Sequence, residues 1–353
     1  MSAERKPAVI GVDLGATKLV AGSVAGCDAS ELVEHPTSRA GCDELLDGIE
    51  SAVREVIARS GRPDAIGIGV PSQVEFATGR VAASVNVPFL EDIGLREELG
   101  GRLATHVYVD NDANCAALAE VQLANEERVG SEIRYLVMYT LGTGVGGGVV
   151  LDGKIFRGAS GLGAELGHVV VDADGPRCQG GCPSRGCLEA FCSGSALTRD
   201  ASALAREKPD SALGLVASAS GEVDSRDAEA AARAGDGDAL ALFERLGSWL
   251  GVGIAGVVNT FEPQCVVIGG GLSRAADLFL DAARGEAATR ALPAIWRNVD
   301  VCLARGGVNA GVIGAGLLAA GELAHGDLGP RAVAEPATVH GRARATAIGD
   351  GAA

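Results

Sequence analysis

Short apolar runs alternate with stretches of helical spacing along most of the chain. Residues 8–14, AVIGVDL, form an apolar run broken by one glycine, and strand-type text resumes over 17–24. From 42 to 60, CDELLDGIESAVREVIARS repeats apolar positions at helical spacing and stops before Gly61, which predicts a helix. AIGIGV at 65–70 reads as a second buried strand. THVYVD at 105–110 reads as a third, feeding a helix opened by Asn111 and Asp112 and continued as ANCAALAEVQLA. The second half repeats this order, with YLVMYTLG at 135–142, GVGGGVVLDG at 144–153, a long helix near 239–258 and QCVVIGGG at 264–271. Two glycine-turned strand starts, DLGATK at 13–18 and LGTGVGGG at 141–148, occupy corresponding places in the two halves. The pattern predicts an α/β protein of two related lobes with a cleft between them. From about residue 326 the periodicity is lost and Gly, Pro and charge take over, so 326–353 is expected to be a disordered tail.

At 353 residues the chain is long enough for two domains with their own cores. Hydrophobic residues make up 47% and aromatics only 3%, with 52 glycines, a mixture suited to an α/β enzyme rich in tight turns. A formal charge of −16 opposes nonspecific attraction to nucleic acid or to an anionic membrane, both of which need a basic surface. No segment approaches the ~18 uninterrupted apolar residues of a membrane span, and MSAERKPA at 1–8 has no apolar core of signal-peptide length. A cytoplasmic protein is expected.

One histidine, three cysteines and a glutamate crowd the segment His168–Glu189, HVVVDADGPRCQGGCPSRGCLE. Three residues separate Cys178 from Cys182 and four separate Cys182 from Cys187, so thiolates on one tight loop can converge with an imidazole from the preceding segment. Such a set suits tetrahedral Zn²⁺, and four filled positions describe a structural ion with no place for a reactive water. A disulfide or a set of free thiols is the alternative, the first requiring an oxidising compartment. The other six cysteines are scattered in apolar or helical text and read as reduced filler.

DLGATK, LGTGVGGG and IGGG at 268–271 can each present backbone N–H groups to an anion, although a glycine-rich hairpin is more often simply a turn. None matches the Walker pattern. Asp13, just before the first loop, could hold Mg²⁺ through water, or cap the turn. Asp112 could be an N-cap or a rigidly held carboxylate at the head of a helix, whose dipole would keep it ionised.

Taken together, DLGATK, VDNDANCAALAE, LGTGVGGG, GAELGH and CPSRGCLE resemble the motifs of the ROK (repressor, open reading frame, kinase) family in order and spacing, over about residues 8–323. The resemblance implies two actin-like (ribonuclease H-like) lobes with an interlobe cleft, the architecture of the superfamily that joins sugar kinases, heat-shock chaperones and actin. The expected division is 1–118 for the first lobe and 119–325 for the second, which carries the zinc loop and nucleotide site, the last helix packing back on the first lobe. By the same resemblance Asp112 is the general base that accepts the proton of the attacking sugar hydroxyl. Asn86, Asn111, Asp112, Glu165, His168 and Glu189 bind sugar hydroxyls. Asp13, Gly15, Thr17, Lys18, Gly142, Thr143, Gly144, Gly269, Gly270 and Gly271 surround the phosphates of ATP with Mg²⁺. His168, Cys178, Cys182 and Cys187 hold structural Zn²⁺, His168 turning its second ring nitrogen to the sugar.

The chain departs from the family pattern in three places. CQGGC widens the first cysteine spacing and is followed by Pro183, which leaves Cys178 a less secure ligand than Cys182 and Cys187. Ala16 stands where a second glycine is usual, and PSQVE at 71–75 puts Ser72 and Glu75 on the wall expected to face the sugar. The implied activity is ATP-dependent phosphorylation of a hexose at its 6-hydroxyl, with glucose first and N-acetylmannosamine, N-acetylglucosamine or fructose as alternatives. Polyphosphate as donor is disfavoured, because relatives that use it usually lack the cysteine cluster. A sugar-responsive repressor is also disfavoured, since only twelve residues precede Asp13 and such proteins carry a helix-turn-helix there. The expected partners are a hexose and ATP, in a homodimer or homotetramer.

Overall fold

The computed structural model describes residues 7–127, 131–179 and 182–324. The tail expected at 326–353 lies outside the described residues.

The first half contains β1 (Val9–Leu14), β2 (Lys18–Ala25), β3 (Asp28–Pro36), α1 (Cys42–Ser60), β4 (Ala65–Val70), the small pair β5 (Gln73–Glu75) and β6 (Arg80–Ala83), α2 (Leu95–Leu103) and β7 (His106–Asn111). Its sheet runs β3-β2-β1-β4-β7, with β1, β2 and β3 antiparallel and β1, β4 and β7 parallel. Helix α3 (Asp112–Glu127) follows β7 directly. The second half brings β8 (Leu136–Leu141), β9 (Val145–Leu151), β10 (Lys154–Ile155), the helices α4 (Glu189–Cys192), α5 (Gly194–Glu207), α6 (Ala212–Ser220), α7 (Ser225–Arg233) and α8 (Gly237–Phe261), then β11 (Cys265–Gly269), α9 (Leu280–Arg290), α10 (Pro293–Trp296), β12 (Asp300–Leu303) and α11 (Ala310–Ala324). The second sheet runs β10-β9-β8-β11-β12, again three antiparallel strands followed by two parallel ones. The two sheets therefore repeat one topology.

Burial explains the sequence pattern. All six residues of β4 are buried, which is why AIGIGV shows no alternation. In α1 the buried positions are Leu45, Leu46, Ile49, Ala52, Val53 and Val56, one stripe at helical spacing against the first sheet. The larger core of the second half gathers Phe243, Leu246, Leu250 and Ile254 of α8 with Val266 and Ile268 of β11. Helix α8 and the stretch Gly307–Ala324 are long and apolar enough to cross a membrane by composition, and here both are packed into the protein interior, with 61% and 44% of their apolar windows buried.

The interior between the sheets positions the cleft. Helix α3 runs unbroken through the expected boundary at 118/119 and packs on α11 and on β9. Helix α11 returns to the first sheet, where Val312, Ala315 and Leu318 pack with Val9, Val24 and Ala65. Its close approach depends on Gly67, where a Cβ would collide with the Ala315 carbonyl. The first turn of α3 is thus anchored against both sheets.

Candidate active site

Asn111 ends β7 and caps α3, its Oδ1 accepting from Ala113 N at 2.9 Å and Asn114 N at 3.3 Å, while its Nδ2 donates to the Ser72 carbonyl at 3.3 Å. Asp112 is the first residue of the helix. Loss of solvation is the largest influence on its carboxyl, followed by repulsion from Asp13, with Glu165 adding less; together they lift it from the ordinary carboxylate range to about 7. This differs from the expectation that the helix dipole keeps Asp112 fully ionised. Hydrogen bonds from the helix N-terminus do favour the anion, but burial and two neighbouring carboxylates outweigh them. Burial likewise raises Asp13, with Lys18 opposing it.

A recess between the two sheets is lined by Gln73, Val74, Asn111 and Asn114 on one side and by Gly146, Gly147, Gly161, Leu162, Gly163, Ala164 and Glu165 on the other. Gln73 Nε2 donates to Glu165 Oε1 across it at 3.2 Å. Ser72, singled out from the sequence, is buried and turns its hydroxyl away, to Ser84 Oγ at 2.7 Å. Glu75 stays local, accepting from the Thr78 hydroxyl. The wall is therefore built by Gln73 and Val74, between the two residues that the motif departure highlighted. Asn86 is exposed on the segment after β6 and does not line the recess. Asn114 was read only as helix text, yet its side chain belongs to this wall.

A buried ion pair supports the first turn of α3. Arg157, just beyond β10, donates Nε to Asp110 Oδ2 at 2.7 Å, with side-chain exposures of 18% and 1%. The guanidinium also lies 3.6 Å from the Phe76 ring centre. The other oxygen of Asp110 accepts from Asn111 N at 2.8 Å and Asn114 Nδ2 at 2.9 Å. One carboxylate thus ties an arginine just past the edge strand of the second sheet to Asn111 and Asn114, which flank Asp112.

The glycine loops approach the same region. Gly15 N donates to the Lys18 carbonyl at 2.9 Å, closing the first turn, and Thr37 Oγ1 donates to the Gly15 carbonyl at 2.8 Å. Ala16 has no positive φ, so its methyl is accommodated without strain. Lys18 pairs with Glu34 at 2.7 Å on the exposed side of the hairpin, and Thr17 uses its carbonyl to receive Thr37 N. In the second half, Gly142 N donates to the Gly144 carbonyl at 2.9 Å, and the turn is tied to α5 by Gly194 N and Ser195 N, which donate to Gly142 and Thr143. The chain of Gly269, Gly270 and Gly271 crosses directly over Leu141, with Gly270 at φ 84°; a side chain there would strike the Leu141 backbone. The two loops are thereby held side by side.

His168, Cys178, Cys182 and Cys187 converge, their ligand atoms all within 4.8 Å of one another. His168 Nδ1 is 3.5 Å from Cys178 Sγ and the sulfurs of Cys182 and Cys187 are 3.6 Å apart. A tetrahedral ion with Zn–S bonds of about 2.3 Å separates its sulfurs by ~3.8 Å, so the four residues fit such an ion, Cys178 included despite the widened spacing. Glu189 is buried against this cluster. Its Oε1 receives Cys178 Sγ at 3.6 Å and its Oε2 receives Val145 N at 2.8 Å, so it bridges the cysteine loop and the end of the Gly142–Gly144 turn.

A model of the ROK family matches residues 9–322. The chain is 36% identical over 312 residues to the glucokinase of Streptomyces coelicolor, covering 86% of this chain and 95% of that protein. It is 31% identical over 284 residues to the N-acetyl-D-glucosamine kinase of Aliivibrio salmonicida, covering 76% and 86%. Among solved structures it resembles a ROK family glucokinase from Streptomyces griseus in complex with glucose and AMPPNP, at 33% identity and a TM-score of 0.74, covering 88% of this chain and 99% of that one. The repeated sheets are the two lobes of the sugar kinase and actin-like fold. With its motifs, its paired sheets and these likenesses in agreement, the chain belongs to the ROK family.

Proposed function

We propose that this chain is an ATP-dependent glucokinase that converts glucose to glucose 6-phosphate. The observation that carries the reading is Asp112, fixed at the head of α3 beside Asp13 and next to a recess whose walls are amides, glycine backbone and Glu165. The similarity to a glucokinase crystallised with glucose and AMPPNP supports the choice of substrates.

In the reaction the 6-hydroxyl oxygen bonds to the terminal phosphorus as the bond from that phosphorus to the ADP oxygen breaks, and Asp112 takes the hydroxyl proton. A carboxyl poised near neutrality is matched to this task. Phosphoryl transfer is loose and depends chiefly on alignment, so proton removal can come late. Asn111, Asp112, Glu165 and His168 orient sugar hydroxyls, with Asn86 approaching from the segment after β6. The Gly142–Gly144 and Gly269–Gly271 turns and the Gly15–Lys18 hairpin receive ATP, and Asp13 would hold Mg²⁺ through water. When bound, Mg²⁺ offsets negative charge on the phosphates. Zinc on His168, Cys178, Cys182 and Cys187 would fix the orientation of His168. We further take the two sheets with their helices as lobes that close on the substrates and exclude water, the chain as cytoplasmic, and the assembly as a homodimer or homotetramer.

Phosphorylation of an N-acetylhexosamine is the second reading, favoured by the 31% identity to an N-acetyl-D-glucosamine kinase. A coupled assay of glucose, mannose, fructose, N-acetylglucosamine and N-acetylmannosamine, each with ATP and with polyphosphate, tests both. The highest kcat/KM is expected for glucose with ATP; a higher value for an acetylated sugar would transfer the assignment to the second reading.

A further inference from the structure

Asn111, at the end of β7, and Asn114, in the first turn of α3, both line the recess, but the protein uses them differently. The Asn111 amide is committed at both ends, Oδ1 to the helix N-terminus and Nδ2 to the Ser72 carbonyl. Asn114 is 3% exposed and its Nδ2 donates to Asp110 at 2.9 Å, yet its Oδ1 is buried with no hydrogen-bond donor among the described residues. Burying an amide oxygen without a donor is unfavourable, and such atoms are rare enough to call for a physical reason.

The amide cannot relieve this by turning over. Asp110 is buried and acceptor-only while ionised, and it is held by Arg157 Nε and Asn111 N, so it requires the NH₂ group of Asn114 to face it. The carbonyl oxygen is thereby fixed on the opposite side of the amide. What it lacks is a donor. In the proposed reaction the phosphate oxygens of ATP offer none, whereas every free hydroxyl of a hexose does.

We propose that Asn114 is a further sugar-binding and specificity-determining residue, whose Oδ1 accepts a hydrogen bond from one non-reacting hydroxyl of the hexose. The inference rests on the glucokinase reading. It assigns to Arg157 and Asp110 the role of positioning residues that act through Asn114 as well as through Asn111. A hydroxyl that meets a preset acceptor is discriminated strongly from its deoxy analogue, because the analogue leaves the buried carbonyl unpaired.

The test compares wild type and Asn114→Ala on glucose and on its 1-, 2-, 3- and 4-deoxy analogues. For glucose, kcat/KM is expected to fall by about tenfold to a hundredfold in the variant. For one analogue, the one missing the hydroxyl that Asn114 receives, the ratio of wild type to variant should collapse toward one. A reduced fraction of folded enzyme scales all sugars alike and leaves the ratios among them untouched. Should Asn114→Ala not fold, Asn114→Ser, which keeps a small hydroxyl beside Asp110, takes its place in the same comparison. An equal loss for glucose and all four analogues, or no loss for glucose, overturns the proposal. If the wild type instead prefers another hexose, the glucokinase reading fails, and the deoxy series of that hexose decides the role of Asn114.

Discussion

Gln73 reaches across the recess to Glu165, Nε2 to Oε1 at 3.2 Å, joining the small strand pair of the first lobe to the segment that carries His168 in the second. A sugar entering there meets an acceptor already oriented by an amide from the facing wall. Gln73→Ala is therefore expected to raise KM for glucose about threefold to tenfold with little change in kcat, as loss of one net hydrogen bond implies. Steady-state kinetics checks this. A loss confined to kcat would place Gln73 in the transition state and not in the wall.

The contrast between Gln73 and its neighbours shows how far the residues alone could be read. Helix α1 was legible because its burial follows a single helical period, strand β4 because it is a short continuous apolar run, and the Asn111–Asp112 helix start because its cap is contiguous in sequence. Strand β3 escaped because DASELVEHP is an edge strand with only Val33 buried. The run α5–α7 escaped because its helices are short and alanine-rich. At the site, Ser72 and Glu75 drew notice as departures from a pattern, but the side chain that reaches across the recess is Gln73, beside an irregularity in the β5–β6 pairing that simple strand alternation does not reveal. Asn114 was hidden by its setting. Nothing in ANCAALAEVQLA distinguishes a helical asparagine facing solvent from one pinned by a buried aspartate supplied by the preceding strand.

Asp112→Asn should abolish phosphoryl transfer while glucose still binds. The amide keeps the shape at the head of α3 but cannot take the proton, so kcat is expected to fall by about 10²–10⁴-fold. Calorimetric titration with glucose should give an affinity within about threefold of wild type. Retention of a tenth of the wild-type turnover would exclude Asp112 as the base.

The carboxyl of Asp112 also sets a pH dependence. In the folded protein it loses its proton near 7, whereas an aspartate in the unfolded chain does so near its ordinary value of 3.8. Between these values the folded form retains a proton that the unfolded form has released, so rising pH favours the unfolded form across this window. The ligand-free wild type should lose stability relative to Asp112→Asn from about pH 4 to about pH 7, and the gap should stay constant outside it. Urea denaturation at several pH values measures that gap. In kinetics, kcat/KM should climb through about pH 7 as the base ionises; a wild type that gains stability relative to Asp112→Asn as pH rises from about 4 to about 7 contradicts the raised value.

Removing one partner of a buried ion pair leaves the other charge uncompensated. With Asp110 1% and Arg157 18% exposed, Arg157→Ala is expected to destabilise the protein by about 3–5 kcal/mol. The double variant Arg157→Ala/Asp110→Asn should recover part of that loss, because no bare carboxylate remains. Denaturant midpoints for the four proteins settle the matter. A double variant as unstable as the sum of both single changes would mean that Arg157 acts through its packing on Phe76 and not through Asp110.

Glu189 gives the metal loop a second address. The cysteine loop is proposed to bear on the sugar side through His168, but Glu189, which packs against Cys178, also accepts from Val145 N, at the end of the turn proposed to receive ATP. The purified protein should contain about one zinc per chain by elemental analysis, and Cys187→Ser should lose it. Releasing the loop frees His168 and Glu189 together, so the affinities for glucose and for ATP should weaken side by side. Glu189→Gln separates the two routes. It alters the brace against Val145 while leaving all four zinc ligands in place, and should raise KM for ATP with the zinc content unchanged. Zinc loss that weakens glucose binding alone, with ATP binding intact, would show that the Glu189 bridge transmits nothing between the two sites.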